Sequence, residues 1–394
     1  MTRQEERRSC RHHGLNIAIR HCEWECRRMV VGILLLLFLP IDFALTQSVE
    51  NNPSPREVVI PGTQLLKITS SIIQGQEYNL FINLPRTYPD PSKSFPVLYV
   101  LDGQWDFPLV TAIYGEEYYD GFVPGAIVVG ITWGGKNPNP DSLRVRDFTP
   151  TKVKQAPQSG GAPEFLRFLR VELIPFIDSK FRTLWNDRTL MGSSLGGLFT
   201  LYAMFQDSGY FKRYALTSPA LRWDNGVIGL YEKHYAERNL RPSARLFMGI
   251  GELEDVTEFQ KFADQLHSVG QGLEVQTKVL KGMGHSGGKA EGYTRGLQFV
   301  FAGPSLVLKP KLLKRFAGLY RLTSADTLRI SLSNDHLVWQ VFGNSGITLE
   351  AETEQDFYAK GQLLNLHFRK DSVGNVSGFQ LERYGREDFI KKIR

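Results

Sequence analysis

Gly192, Ser194 and Gly196 form the pattern G-x-S-x-G inside the stretch RTLMGSSLGGLFT. The lead-in RTLM reads as a strand end and GLFTLYAMF as a helix, so the serine falls on a sharp strand-to-helix turn. At such a turn the backbone is strained and the hydroxyl projects above the sheet. Side chains at the flanking glycines would crowd it. The Leu195 N–H would then point at the oxygen that becomes negative during acyl transfer, and the helix N-terminus adds positive potential there. The same glycines could serve only close helix–strand packing, but the strand before and the helix after favour a nucleophile. Ser193 is the competing hydroxyl, though it is not central between the two glycines.

A serine hydroxyl needs a base, and the base needs an orienting acid. With this turn the chain order is serine, acid, histidine. Five histidines follow Ser194. His234 and His267 lie in helix-like stretches and read as surface or packing residues. His336 and His367 lie in a strand-rich region near the C-terminus. His285, in KGMGHSGG, follows the last strand of the sheet in a glycine loop, where a base can approach the nucleophile. The acid should close the preceding strand, RLFMGIGELED. Glu254, three residues beyond Gly251, is the first choice, Asp255 the second and Glu252 the third. Each could instead be a helix-start acid. A second oxyanion donor is expected from LYVLDGQWDF: Gly103 permits the turn, the Gln104 N–H donates, and Asp102 and Trp105 shape the loop.

These residues need a scaffold. FPVLYVLDG and AIVVGITW are continuous apolar runs, as in strands buried on both faces of a parallel sheet. EFLRFLRVELIPFIDSKF has apolar residues at helical spacing. RYALTSPA, ARLFMGIG and VQTKVLKG read as further strands, VTEFQKFADQLHSVG and GYTRGLQFVFAG as helices. Strand alternating with helix implies an α/β fold around a central, mostly parallel sheet. After AGPSLVLKP the texture changes to short alternating segments separated by Asn-Asp and Gly-rich turns, the pattern of a small all-β sandwich or barrel. Tyr320, Trp339 and Phe357 there read as core rather than as a binding face. The expected division is an N-terminal segment 1–48, an α/β domain 49–304 and an all-β domain 305–394.

The 394 residues are 42% hydrophobic and 22% charged, a globular composition. The net charge of +6 is dispersed, which argues against a nucleic-acid partner. Cys10, Cys22 and Cys26 all precede the apolar stretch MVVGILLLLFLPIDFAL. That stretch follows Arg27 and Arg28 and runs into ALTQS, the pattern of a secretory signal. Pro40 and Asp42 interrupt it, short of the ~18 apolar residues of a spanning helix. The expected location is secreted or periplasmic, with an uncleaved membrane anchor as the alternative. The cysteine and histidine spacing there fits no closed zinc pattern, so neither metal nor cofactor is expected.

FPVLYVLDGQ, RVRDFTP, GGAPEFLRFLRVELIPFI, MGSSLGGLFTLY, LTSPALRWDN and KGMGHSGG together resemble the esterase branch of the α/β-hydrolases, most of all periplasmic siderophore (enterobactin-type) esterases. The resemblance runs from Leu65 to Ala302. It implies an α/β-hydrolase fold with Ser194 as nucleophile and His285 as base. It also implies that Trp223, in SPALRW, lies near the substrate together with Gly103. The C-terminal region resembles a small β-domain appended to some bacterial hydrolases, which those siderophore esterases lack. The expected activity is serine ester hydrolysis of a small-molecule ester. Acyl transfer, peptidase action on the same scaffold and a non-catalytic binding role are the alternatives.

Overall fold

The computed structural model describes residues 59–394 apart from 207–208, 239–242, 269–271, 325, 342–344 and 384–385. The cysteines, the apolar stretch and its flanks lie outside the described residues. Eight strands build the sheet: β1 (Thr63–Thr69), β2 (Glu77–Asn83), β3 (Phe95–Val100), β4 (Ile127–Trp133), β5 (Thr183–Ser193), β6 (Arg213–Thr217), β7 (Ala244–Gly251) and β8 (Leu273–Leu280). Their spatial order is β1-β2-β4-β3-β5-β6-β7-β8. β1 and β2 pair antiparallel, β2 meets β4 antiparallel, and every pairing from β4 to β8 is parallel. This is the α/β-hydrolase arrangement.

Burial follows the strand order. Every residue of β3 and β4 is buried, whereas β1 and β8 alternate at the sheet edges. Successive β3 side chains serve opposite faces. Phe95, Val97 and Tyr99 enter one core, and Leu98 and Val100 the other. Two helices, α1 (Gly103–Tyr119) and a later one at Gly288–Val300, supply the second core through Phe107, Val110, Tyr293 and Leu297.

The first core is covered by α2 (Pro140–Phe148), α3 (Ala162–Phe168), α4 (Ile174–Lys180), α5 (Leu195–Phe205), α6 (Ile228–Ala236) and α7 (Val256–Ser268). The single helix expected over EFLRFLRVELIPFIDSKF is interrupted by a π-helical turn at Leu169–Leu173, so α3 and α4 flank it. Pro175, which lacks an N–H, follows that turn. The helix Gly288–Val300 is α8.

A short helix, α9 (Pro310–Leu313), leads into eight more strands. These are β9 (Gly318–Arg321), β10 (Thr327–Ser333), β11 (His336–Val341), β12 (Ile347–Ala351), β13 (Asp356–Tyr358), β14 (Asn365–Lys370), β15 (Val376–Arg383) and β16 (Arg386–Lys392). They form an antiparallel meander that closes into a barrel when β16 pairs with β9. Asn334 and Asp335, both left-handed, make the two-residue turn between β10 and β11. Tyr320, Trp339 and Phe357 are buried with Phe368 and Phe379, so the barrel interior is filled by side chains. The core reading of these aromatics holds.

The barrel sits at the amino ends of the parallel strands. Lys93, just ahead of β3, pairs with Glu382 at 2.9 Å and Glu387 at 3.4 Å. Tyr358 donates to the Gly303 carbonyl at 3.3 Å. A cleft of about 1020 Å³ lies along this junction, lined in part by Phe95, Phe122, Arg213 and Tyr358. At Gly121 (φ 77) a Cβ would overlap the Gln362 carbonyl of the barrel. Gly121→Ala therefore combines a left-handed penalty with overpacking, about 2–4 kcal/mol together. A thermal scan should show a lowered Tm, and limited proteolysis should open the 301–309 connection sooner, while ester hydrolysis at 25 °C is little changed. An unaltered Tm would show that this close approach does not anchor the barrel.

Candidate active site

β5 passes into α5 through one residue. Ser193 ends the strand, Leu195 begins the helix, and Ser194 between them has φ 58, ψ −117. A non-glycine residue rarely adopts positive φ, so the surroundings must hold it. The Ser194 N–H donates to the Thr217 carbonyl at 3.1 Å, and the Ser194 carbonyl accepts from Leu198 at 2.9 Å and Ala220 at 3.0 Å. A Cβ at Gly192 would come within 2.5 Å of the Gly196 oxygen, so that glycine is sterically required. The demand at Gly196 is milder, since a Cβ there would meet only Asp102 Oδ2 at 3.4 Å and Leu101 at 3.5 Å. Gly197 is the tighter site, 3.1 Å from Pro219 Cα. Ser193, the competitor, is buried, and its hydroxyl has no hydrogen-bond partner among the described residues.

The three candidate acids separate by their contacts. Glu254 Oε2 lies 2.6 Å from His285 Nδ1. Its Oε1 accepts the Ser218 hydroxyl at 2.6 Å and the Gly251 N–H at 2.9 Å. Glu252 instead accepts the Gly282 N–H at 2.8 Å and closes the neighbouring turn. Asp255 accepts the Glu258 N–H at 3.1 Å as the N-cap of α7 and pairs with Arg222. Burial opposes ionisation of Glu254. The bonds from Ser218, His285 and Gly251 outweigh it and hold the carboxyl below its ordinary value. His285 is half exposed, with Nδ1 engaged and Nε2 left as the basic nitrogen. His234 lies in α6, and His267 Nδ1 contacts the Ala263 carbonyl within α7.

The loop after β3 departs from expectation in one respect. Its left-handed residue is Asp102 (φ 52), not Gly103. Gly103 is needed because a Cβ would come within 2.9 Å of the Gly130 and Ile131 backbone of β4. Asp102 is buried and gripped by Arg144, Nε at 3.0 Å and Nη2 at 2.8 Å. Burial pushes the Asp102 carboxyl above its ordinary value, and the Arg144 fork works against that push. The Gln104 N–H lies in the first turn of α1, where the helix offers no carbonyl partner. The Gln104 side chain accepts Thr132 Oγ1 at 2.6 Å. Trp105 is half exposed with the Arg144 guanidinium over its ring, 5.7 Å from the centroid.

Trp223 follows the same segment as Ala220 and places Nε1 3.3 Å from Thr151 Oγ1. Among the described residues, no hydrogen bond joins its side chain to Ser194 or His285.

Sequence reasoning assigned no role to several residues that join these elements. Asp106, buried on α1, accepts Lys289 Nζ at 2.7 Å and the Tyr293 hydroxyl at 2.5 Å, joining α1 to α8. Within RVRDFTP, Asp147 is buried beneath Tyr78 OH and Trp133 Nε1, each at 2.7 Å, and Arg146. Ser218 contacts the acid. Apart from the adjacent Arg146–Asp147 pair, the partners lie 14 to 187 residues apart in sequence, which left no local signal.

Residues 70–288, more than half the chain, match the model of the family described as "Putative esterase". The chain is 31% identical over 220 residues to the ferri-bacillibactin esterase BesA of Bacillus subtilis, covering 52% of this chain and 75% of that protein. It is 27% identical over 189 residues to a siderophore triacetylfusarinine C esterase of Aspergillus fumigatus, covering 46% and 64%. Among solved structures, the BES protein of Bacillus cereus superposes with a TM-score of 0.57 at 28% identity, over 62% of this chain and 97% of that one. An IroE-like serine hydrolase of Shewanella oneidensis gives 0.53 at 25% identity, over 65% and 81%. The barrel lies beyond the family match.

Because Glu254 is held below its ordinary value of 4.5 in the folded chain, its contribution to stability is complete above that pH. It is lost as pH falls through the lower folded value. Denaturant titrations of wild type and Glu254→Gln between pH 3 and pH 7 should show the variant without this part of the pH dependence. Parallel curves would mean that the carboxylate's bonds add nothing net.

Proposed function

We propose that this chain, which belongs to the esterase family and is a carboxylic ester hydrolase, works through an acyl-serine. Ser194 attacks the ester carbonyl while His285 Nε2 takes the hydroxyl proton. Glu254 fixes the tautomer by accepting Nδ1–H and stabilises the imidazolium. The Leu195 and Gln104 N–H groups, each at a helix N-terminus, receive the oxyanion. The ester C–O bond breaks and His285 returns the proton to the departing alkoxide. Water, deprotonated by His285, then attacks the acyl-serine and releases the acid and the free enzyme.

The observation that carries this reading is the His285 Nδ1 to Glu254 contact of 2.6 Å. It occurs in a chain whose G-x-S-x-G serine has φ 58 between strand and helix. Support comes from the Shewanella oneidensis relative, described as a serine hydrolase. The substrate class we propose is a siderophore-like ester, as the descriptions of the Bacillus and Aspergillus relatives suggest. Trp105 and Leu253, neighbours of Gln104 and Glu254, are exposed apolar side chains suited to a partly aromatic substrate.

An organophosphonate should label Ser194 in the wild type and nothing in Ser194→Ala. Hydrolysis of p-nitrophenyl esters should fall by at least about 10⁴-fold in that variant. A catecholate trilactone run beside esters of increasing chain length should be the better substrate. Wild-type hydrolysis by Ser194→Ala would sink the mechanism, and indifference to the trilactone would sink the substrate class alone.

A further inference from the structure

Ser218 makes contacts that the proposed chemistry does not use. It directly follows β6, is buried and has φ 46. Pro219 comes next, and a residue before proline prefers extended backbone with negative φ. The turn is therefore held from outside: the Ser218 N–H donates to the Gly249 carbonyl at 2.7 Å. The same stretch braces the nucleophile. Thr217 accepts the Ser194 N–H at 3.1 Å, Ala220 donates to the Ser194 carbonyl at 3.0 Å, and Pro219 fills the space beside Gly197. On its other side the turn reaches the acid, where Ser218 Oγ donates to Glu254 Oε1 at 2.6 Å.

The two oxygens of Glu254 divide the work. Oε2 faces His285 Nδ1, while Oε1 is pinned by the Ser218 hydroxyl and the Gly251 N–H. A carboxylate with one oxygen fixed by two donors cannot turn the other away from the imidazole without breaking both bonds. We infer that Ser218 is a positioning residue that locks Glu254 against His285 and ties the acid to the turn supporting Ser194. This rests on the proposed roles of Ser194, His285 and Glu254.

Ser218→Gly tests it, because glycine suits φ 46 better than serine while the hydroxyl is lost together with its small CH2 stem. With p-nitrophenyl acetate, KM should be unchanged and kcat should fall about ten-fold, the worth of one hydrogen bond to a charged group. Without the hydroxyl, Glu254 is no longer held against His285 and stabilises its protonated form less. The acid limb of the kcat/KM profile should then move to lower pH. A lowered Tm with an unmoved acid limb would indicate a merely structural serine and overturn the inference. So would wild-type kcat and pH profile in Ser218→Gly while Ser194→Ala is inactive. If Ser194→Ala is itself active, the mechanism fails instead. Should Ser218→Gly not fold, Ser218→Ala is read by the same kcat and pH criteria.

Discussion

The site depends on a change from strand to helix within one residue. Ser193 still pairs with β6, and Leu195 already belongs to α5. All of the reversal falls on Ser194, in a conformation that costs an ordinary residue of order 1–3 kcal/mol. Local chain does not favour it, because the allowed negative-φ regions are lower in energy for a serine. The neighbours hold it instead: no side chain fits at Gly192, Thr217 at the end of β6 accepts the N–H of Ser194, and Ala220 in the turn after it donates to its carbonyl. The hydroxyl is thereby presented at the carboxyl end of the sheet, and the first N–H groups of α5 lie beside it.

Two buried charge arrangements extend this order to the rest of the site. Arg144 on α2 forks onto Asp102 and fixes the loop that begins α1. Asp106, one turn further along α1, is bonded by Lys289 and Tyr293 of α8. The helix bearing Gln104 is thus tied to the helix that follows the His285 loop. Such pairs add little net stability against apolar replacements, but leaving one partner alone and buried costs about 3–5 kcal/mol. Their effect is to make alternative placements of the two helices expensive.

The sequence disclosed most where one segment carries the signal. The fully apolar β3 and β4, the alternating barrel strands and the G-x-S-x-G turn are local patterns, and the structure keeps them. The ranking of Glu254 over its neighbours rested on its distance from Gly251, and Glu254 is the acid that meets His285. What stayed hidden is relational. Gly103 reads as a flexible turn residue, yet it is glycine because β4 crosses at 2.9 Å, while Asp102 takes the left-handed φ. Ser218 lies in LTSPALRWDN with no role legible there, and its contact is to a carboxylate 36 residues later. The π turn inside the α3–α4 stretch likewise has no mark in the helical spacing of its apolar residues.

The barrel's position narrows what it can do. In a parallel sheet the catalytic side chains rise from the carboxyl ends of the strands. Ser194, Glu254 and His285 all follow carboxyl ends, of β5, β7 and β8. The barrel contacts Lys93 ahead of β3 and Gly303 after α8, and the cleft beside it is lined by Phe95 and Arg213, which open their strands. It is therefore at the opposite end of the sheet from the hydroxyl, with Tyr320, Trp339 and Phe357 buried in its own core. The segments that follow the strands, where Trp105, Trp223 and Leu253 lie, are at the same end of the sheet as Ser194. The barrel and Ser194 are thus separated by the sheet itself.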